Sequence, residues 1–222
     1  MSIVQNLLQI KSSIPSNVTL VAVSKTKPIA DLMEAYNAGQ RIFGENKIQE
    51  MTEKWEQMPK DIQWHMIGHV QSNKVKFMAE YVSLIHGVDS LKLLEEINKQ
   101  AIKHNRIIDC LLQVYIAEEE TKFGLDEEEL HEILKQVEHE NLKNIKIVGL
   151  MGMATFTDNQ NQIKKEFQNL KTIFDQLKNI ELKSDAIHPK IVSMGMSGDY
   201  QLAIECGSNM VRIGSSIFGN RK

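Results

Sequence analysis

One pattern constrains this chain more than any other. Short, apolar, often β-branched runs alternate with segments of helical spacing, and the alternation repeats eight times. The runs fall at residues 18–24, 41–44, 63–68, 82–87, 107–116, 145–151, 187–194 and 210–213. Between them, helices are expected over 28–37, 47–58, 72–79, 90–105 and 198–206, with two longer ones after Asp126 and around Ile163. Leu130, Ile133, Leu134 and Val137 recur at i, i+3, i+4 and i+7. Ile163, Phe167, Leu170, Phe174 and Leu177 form one stripe of the following helix. Strands alternating with helices imply right-handed βαβ units and a parallel sheet. Eight such units favour a closed barrel over an open sheet. The expected fold is therefore α/β, a single (β/α)8 TIM barrel. An amphipathic segment at 3–10 is expected as an extra helix closing the barrel bottom.

A length of 222 residues suits one such barrel, and no Gly/Ser-rich linker or low-complexity tract divides it. Residues 1–222 are read as one domain. The formal net charge of −3 at pH 7 argues against a nucleic-acid partner. No apolar run approaches the ~20 residues of a membrane span, so no membrane association is expected. Residues 1–13 lack a basic n-region and a small-residue cleavage site, so no secretory signal is expected. Cys110 and Cys206 lie far apart and outside any CxxC pair. They read as buried thiols of a cytoplasmic protein.

In a barrel of this kind the chemistry sits at the C-terminal ends of the strands. That rim carries Ser24-Lys25, Gly44-Glu45-Asn46, Gly68-His69, His86-Gly87, Met151-Gly152-Met153, the 193–197 stretch SMGMS, and Arg212-Ile213-Gly214-Ser215. It offers no carboxylate pair for glycoside work and no His/Asp/Glu set at metal-ligand spacing. Val21, Val23 and Lys25 share one face of their strand. If that face lines the barrel, the Lys25 amine sits among apolar groups. Desolvation then favours the neutral amine that attacks an aldehyde. The plainer alternative is a solvated lysine at a helix start. Lys27 shares the parity but lies past the strand, beside Pro28.

Barrel phosphate sites are frequently built from the loops after strands seven and eight. The backbone N–H groups of Gly214 and Ser215, with the Ser215 hydroxyl, suit a dianion. Ser193, Met194 and the rest of 193–197 supply the facing wall; the alternative is a pair of plain turns. Arg212 is a charge inside a short apolar strand and must find a partner. Either it points inward to a ligand ring or anion, or it makes an outward salt bridge. Asn46 would stack on or hydrogen-bond a planar ligand, and Glu45 would salt-bridge across the rim. A lone histidine such as His69 is more often structural than catalytic. Met151, Met153, Met194 and Met196 read as adaptable packing at the mouth.

Several motifs recur in order: Val21-Ala-Val-Ser-Lys25-Thr-Lys-Pro28, Phe43-Gly-Glu-Asn46 with Gln49-Glu50, Trp64-His-Met-Ile-Gly-His69 with Gln71-Ser-Asn-Lys74, and Lys122-Phe-Gly-Leu125. Gly149-Leu-Met-Gly-Met153, Ser193-Met-Gly-Met-Ser197 and Val211-Arg-Ile-Gly-Ser215, running on to Gly219, follow. Together they resemble the pyridoxal 5′-phosphate homeostasis protein family, whose barrel is similar to the N-terminal domain of alanine racemases. The resemblance implies that Lys25 holds pyridoxal 5′-phosphate as an internal aldimine and that Arg212 approaches the pyridine nitrogen. It implies that Ser193, Gly214 and Ser215 hold the phosphate, with Met194 and Asn46 also touching the cofactor. Ser215 stands where many relatives have threonine, which keeps the hydroxyl. Lys122 falls where racemases carry an arginine near the ring hydroxyl.

Alanine racemases add a second, β-rich domain with a catalytic tyrosine. This chain ends just after strand eight, and Tyr36, Tyr81, Tyr115 and Tyr200 offer no obvious substitute. The expected function is therefore a cytoplasmic, monomeric carrier or buffer of pyridoxal 5′-phosphate without a turnover of its own, whose partners are the cofactor and apo-enzymes that use it. Two alternatives stay open. One is a weak amino-acid racemase with His69 as the acid opposite Lys25; the other is a Schiff-base aldolase acting on a sugar phosphate.

Overall fold

The structure is a computed structural model and describes residues 2–119, 122–140, 142–180 and 184–219. Eight strands, β1 (Thr19–Val23), β2 (Ile42–Glu45), β3 (Gln63–Met66), β4 (Val82–Val88), β5 (Ile108–Gln113), β6 (Ile145–Met151), β7 (Ile187–Met196) and β8 (Met210–Ile213), form a closed barrel in chain order. All pairs are parallel, and β8 returns to β1 with Val21 opposite Arg212. The helices are α1 (Ile3–Ser13), α2 (Ile29–Asn37), α3 (Ile48–Gln57), α4 (Leu91–Lys103), α5 (Glu127–Glu140), α6 (Gln160–Asn179), α7 (Tyr200–Glu205) and α8 (Ser215–Phe218). Among the described residues no helix is long and apolar enough to cross a membrane.

The helix expected over 72–79, between β3 and β4, is a 3-10 helix, Ser72–Phe77. Val75 inside it and Met78 just past its end are three apart and both fully buried, which suits a threefold period. The apolar run after β5 departs from expectation. The strand ends at Gln113; Val114 N still donates to Met151 O of β6 at 2.9 Å, but Val114 also bridges Leu125, beyond the loop that follows. Finally, α1 does not plug the barrel bottom. It packs on the outer ring against α8 and α2, and Asn6 Nδ2 donates to Ile217 O at 3.0 Å. The reason is geometric: α8 is four residues long and leaves the β8–β1 seam to be covered by another helix.

The core has two layers. Leu20, Ala22, Phe43, Trp64, Ile85 and Phe167 belong to the larger one, between strands and helices. A smaller one fills the barrel with Val21, Leu84, Leu111, Val148, Met151 and Met210. Strand parity thus sends Val21 inward and its neighbours outward. At Gly149, with φ +152°, a Cβ would lie 1.7 Å from Ile191 O, so only glycine lets β6 and β7 approach. Cys110 and Cys206 are buried and unbridged.

Candidate functional site

A cavity of about 640 Å³ opens at the C-terminal mouth of the barrel. Lys25, Asn46, Arg212, Gly214 and Ser215 line it, together with Lys27, Met153, Phe156, Met196, Ser197 and Asp199. Five of the seven residues expected at the site are thereby brought around one space. Ser193 and Met194 are not in its lining. Both are fully buried: Ser193 points into the barrel one layer lower, and Met194 points into the outer core. The cause is the length of β7, which runs to Met196 and so places Ser197 and Asp199 at the wall instead. Ser197 Oγ accepts from Gly214 N at 3.2 Å, tying the two loops together.

Arg212 points inward. Nη1 donates to Ser193 O at 2.9 Å and Ser193 Oγ at 2.6 Å, and Nη2 donates to Gly152 O at 3.0 Å. Burial pulls the guanidinium down to about 10, partly offset by the Asp199 carboxylate, so it stays cationic at neutral pH.

Beneath Arg212 lies a polar chain that the sequence reading missed. Ser193 Oγ is 3.2 Å from His86 Nδ1, and His86 Nε2 is 3.0 Å from His65 Nδ1. Burial lowers His65 to about 3. Burial, with His65 and Arg212 nearby, holds His86 well below the usual histidine range. Both rings are therefore neutral at pH 7. The available signal was a histidine inside each of two apolar strands, at the parity of inward neighbours.

The other candidates sit elsewhere. His69 is at the exposed rim, with Nδ1 3.4 Å from Asp89 and its ring edge-on to Phe123. Lys122 pairs with Glu119 at 3.5 Å. Lys27 Nζ donates to Phe218 O at 2.9 Å. Glu45 does not cross the rim. It turns outward behind β2, fully buried, and its Oε1 accepts from Ser24 Oγ and Lys54 Nζ at 2.6 and 2.7 Å. Burial pushes the Glu45 carboxyl up against the pull of Lys54.

The cavity thus presents a primary amine on the β1 wall, a permanent cation on the floor, and two hydroxyls with glycine backbone at the β7–β8 side. At Gly214 a Cβ would come within 3.1 Å of Val23 O, so a bare backbone lets the two loop bases close up. This donor set fits a flat, electron-poor ring that carries a carbonyl group and an anionic tail.

Fold and site together define a barrel of the alanine racemase N-terminal class. The family model described as "Alanine racemase, N-terminal domain" matches residues 1–222. Within that class, the chain belongs to the pyridoxal phosphate homeostasis protein family. It is 38% identical to the pyridoxal phosphate homeostasis protein of Pasteurella multocida (strain Pm70), over 100% of this chain and 98% of that one. It is 43% identical to the Schizosaccharomyces pombe protein of the same name, over 92% and 85%. Among solved structures, PipY of Synechococcus elongatus PCC7942, described with PLP bound, superposes with a TM-score of 0.88. The identity there is 33%, covering 98% of this chain and 100% of that one. Alanine racemase of Clostridium difficile 630 shares the fold at a TM-score of 0.80 and 17% identity, over 99% of this chain and 60% of that one.

Proposed function

We propose that this chain binds pyridoxal 5′-phosphate in the mouth cavity, covalently through Lys25, and acts in intracellular homeostasis of the cofactor as its buffer and carrier. The observation that carries this reading is the convergence of Lys25, Arg212, Gly214 and Ser215 on one cavity. When bound, the cofactor would supply an aldehyde, and the Lys25 amine would be the nucleophile that holds it, with the carbonyl oxygen lost as water. Ser197, Gly214 and Ser215 would hold the phosphate, and Asn46 would sit beside the ring. Ser193 acts indirectly, by holding Arg212, and Met194 backs the wall from the outer core.

The same geometry favours holding over turnover. Arg212 is already fully protonated and can donate to a ring nitrogen but not transfer a proton to it usefully. The ring then remains a weak electron sink. A racemase also needs an acid or base on each face of the substrate. Of the other titratable groups, Lys27 Nζ donates to Phe218 O and Asp199 Oδ1 accepts from Met196 N, His69 does not line the cavity, and His65 and His86 are sealed beneath Arg212. The relatives' shared name, homeostasis protein, supports the same reading. Residues 1–222 would form one cofactor-binding domain that works as a cytoplasmic monomer and passes the cofactor to apo-enzymes.

The test is equilibrium dialysis with pyridoxal 5′-phosphate, followed by incubation of the loaded protein with amino acids. One equivalent bound, without amino-acid turnover, is the expected result. Turnover abolished by Lys25→Ala would instead assign an enzyme.

A further inference from the structure

We propose that Glu50 and Lys54 of α3 form a clamp that presets the backbone of Lys25, and so act as positioning residues for its covalent attachment. The inference rests on the reading that Lys25 is the attachment site. Glu50 and Lys54 lie one helical turn apart, with Nζ and Oε1 paired at 2.7 Å. Lys54 Nζ also donates to Ser24 O at 2.8 Å, which belongs to the peptide group entering Lys25. Glu50 Oε1 accepts from Thr26 N at 2.5 Å, which belongs to the peptide group leaving Lys25. One ion pair therefore holds both peptide groups that flank the reactive lysine.

The turn needs holding. Thr26 has φ +64°, a left-handed conformation that a β-branched residue avoids. Ser24 and Thr26 also lie beyond β1, which ends at Val23. Lys54 is buried, and it is balanced on its far side by Glu45 Oε1 at 2.7 Å. Apolar side chains would dock α3 on the barrel as well as this ion cluster does. What they cannot do is hydrogen-bond a carbonyl on one side of Lys25 and an N–H on the other. Fixing both peptide planes narrows the directions in which the lysine side chain leaves the backbone, and such pre-orientation raises the rate of attack.

Two readouts test the clamp. The first is exchange of the Thr26 amide proton in cofactor-free protein. The second is the rate at which pyridoxal 5′-phosphate with cyanoborohydride labels Lys25, mapped by mass spectrometry, with surface lysines as internal controls. Glu50→Ala should speed Thr26 exchange and slow Lys25 labelling about tenfold, the effect of losing one charge-assisted hydrogen bond. Surface labelling should not change. Glu50→Gln keeps an acceptor for Thr26 N and should restore the rate to within about twofold. Lys54→Met, an unbranched replacement, should slow labelling like Glu50→Ala, and carries the test if that variant does not fold. Unchanged Lys25 labelling despite faster Thr26 exchange would overturn the clamp alone. Wild-type labelling at a lysine other than Lys25 would overturn the site reading and the clamp with it.

Discussion

Arg212 Nη1 donates to Ser193 Oγ at 2.6 Å, and this contact sets the direction of the protons beneath the barrel mouth. Arginine has no acceptor, so the Ser193 oxygen must receive. With the Ser193 hydroxyl proton turned to His86 Nδ1, its other hydrogen-bond partner among the described residues, His86 is the Nε2–H tautomer and donates to His65 Nδ1. Among the described residues, this buried cation has neutral hydrogen-bond partners and no carboxylate among them.

Ser193→Ala removes the middle of this chain. His86 Nδ1 loses its donor, and Arg212 keeps only its two carbonyl partners. Stability should fall by roughly 1–3 kcal/mol in urea unfolding, and affinity for pyridoxal 5′-phosphate should weaken through a less fixed Arg212. Unchanged stability and affinity would mean that the chain is incidental.

The buried histidines make stability pH-dependent with a definite sign. Their folded pKa values lie below the unfolded value near ~6.5, so the unfolded state binds more protons as pH falls. Their contribution is full above that value and is lost as pH drops towards the folded value, about 3 for His65. Each ring contributes at most about 1.4 kcal/mol per pH unit. Glu45, pushed up by burial, acts oppositely above its ordinary carboxylate range. Urea unfolding between pH 4.5 and 6.5 should therefore show a shallower slope in His65→Asn than in wild type. Equal slopes would contradict the neutral pair.

Two glycines separate stability from binding. In Gly149→Ala the new Cβ would overlap Ile191 O at 1.7 Å with φ at +152°, and the variant should lose about 3 kcal/mol or more. In Gly214→Ala the nearest atom, Val23 O, is 3.1 Å away and φ is negative. That variant should fold, with its main loss in cofactor affinity, measured by dialysis. The reverse ranking would place the ligand away from the β8 loop.

Arg212→Lys keeps the charge but cannot reproduce three hydrogen bonds in a fixed planar fork. Cofactor affinity should drop about tenfold or more. An unchanged dissociation constant would remove Arg212 from the binding site.

Much of this was legible in the chain, because strand parity is a local property. Val21, Val23 and Lys25 share one face by covalent geometry alone, whereas the direction of Arg212 stayed open until its register opposite Val21 turned it inward. What escaped depends on contacts distant in sequence. Ser193 meets His86 across 107 positions, and nothing near either residue signals the other. Ser193 and Ser197 both sit at the expected loop, and only the extra length of β7 decides which reaches the cavity. Glu45 looks like a rim residue until α3 brings Lys54 behind it.

The most direct test is the absorbance spectrum of wild-type protein and Lys25→Ala, each incubated with pyridoxal 5′-phosphate and desalted. A visible band from the protein–pyridoxal linkage in wild type alone is the expected result, and it would place the covalent bond on Lys25. The same band in both proteins, or in neither, would contradict the site.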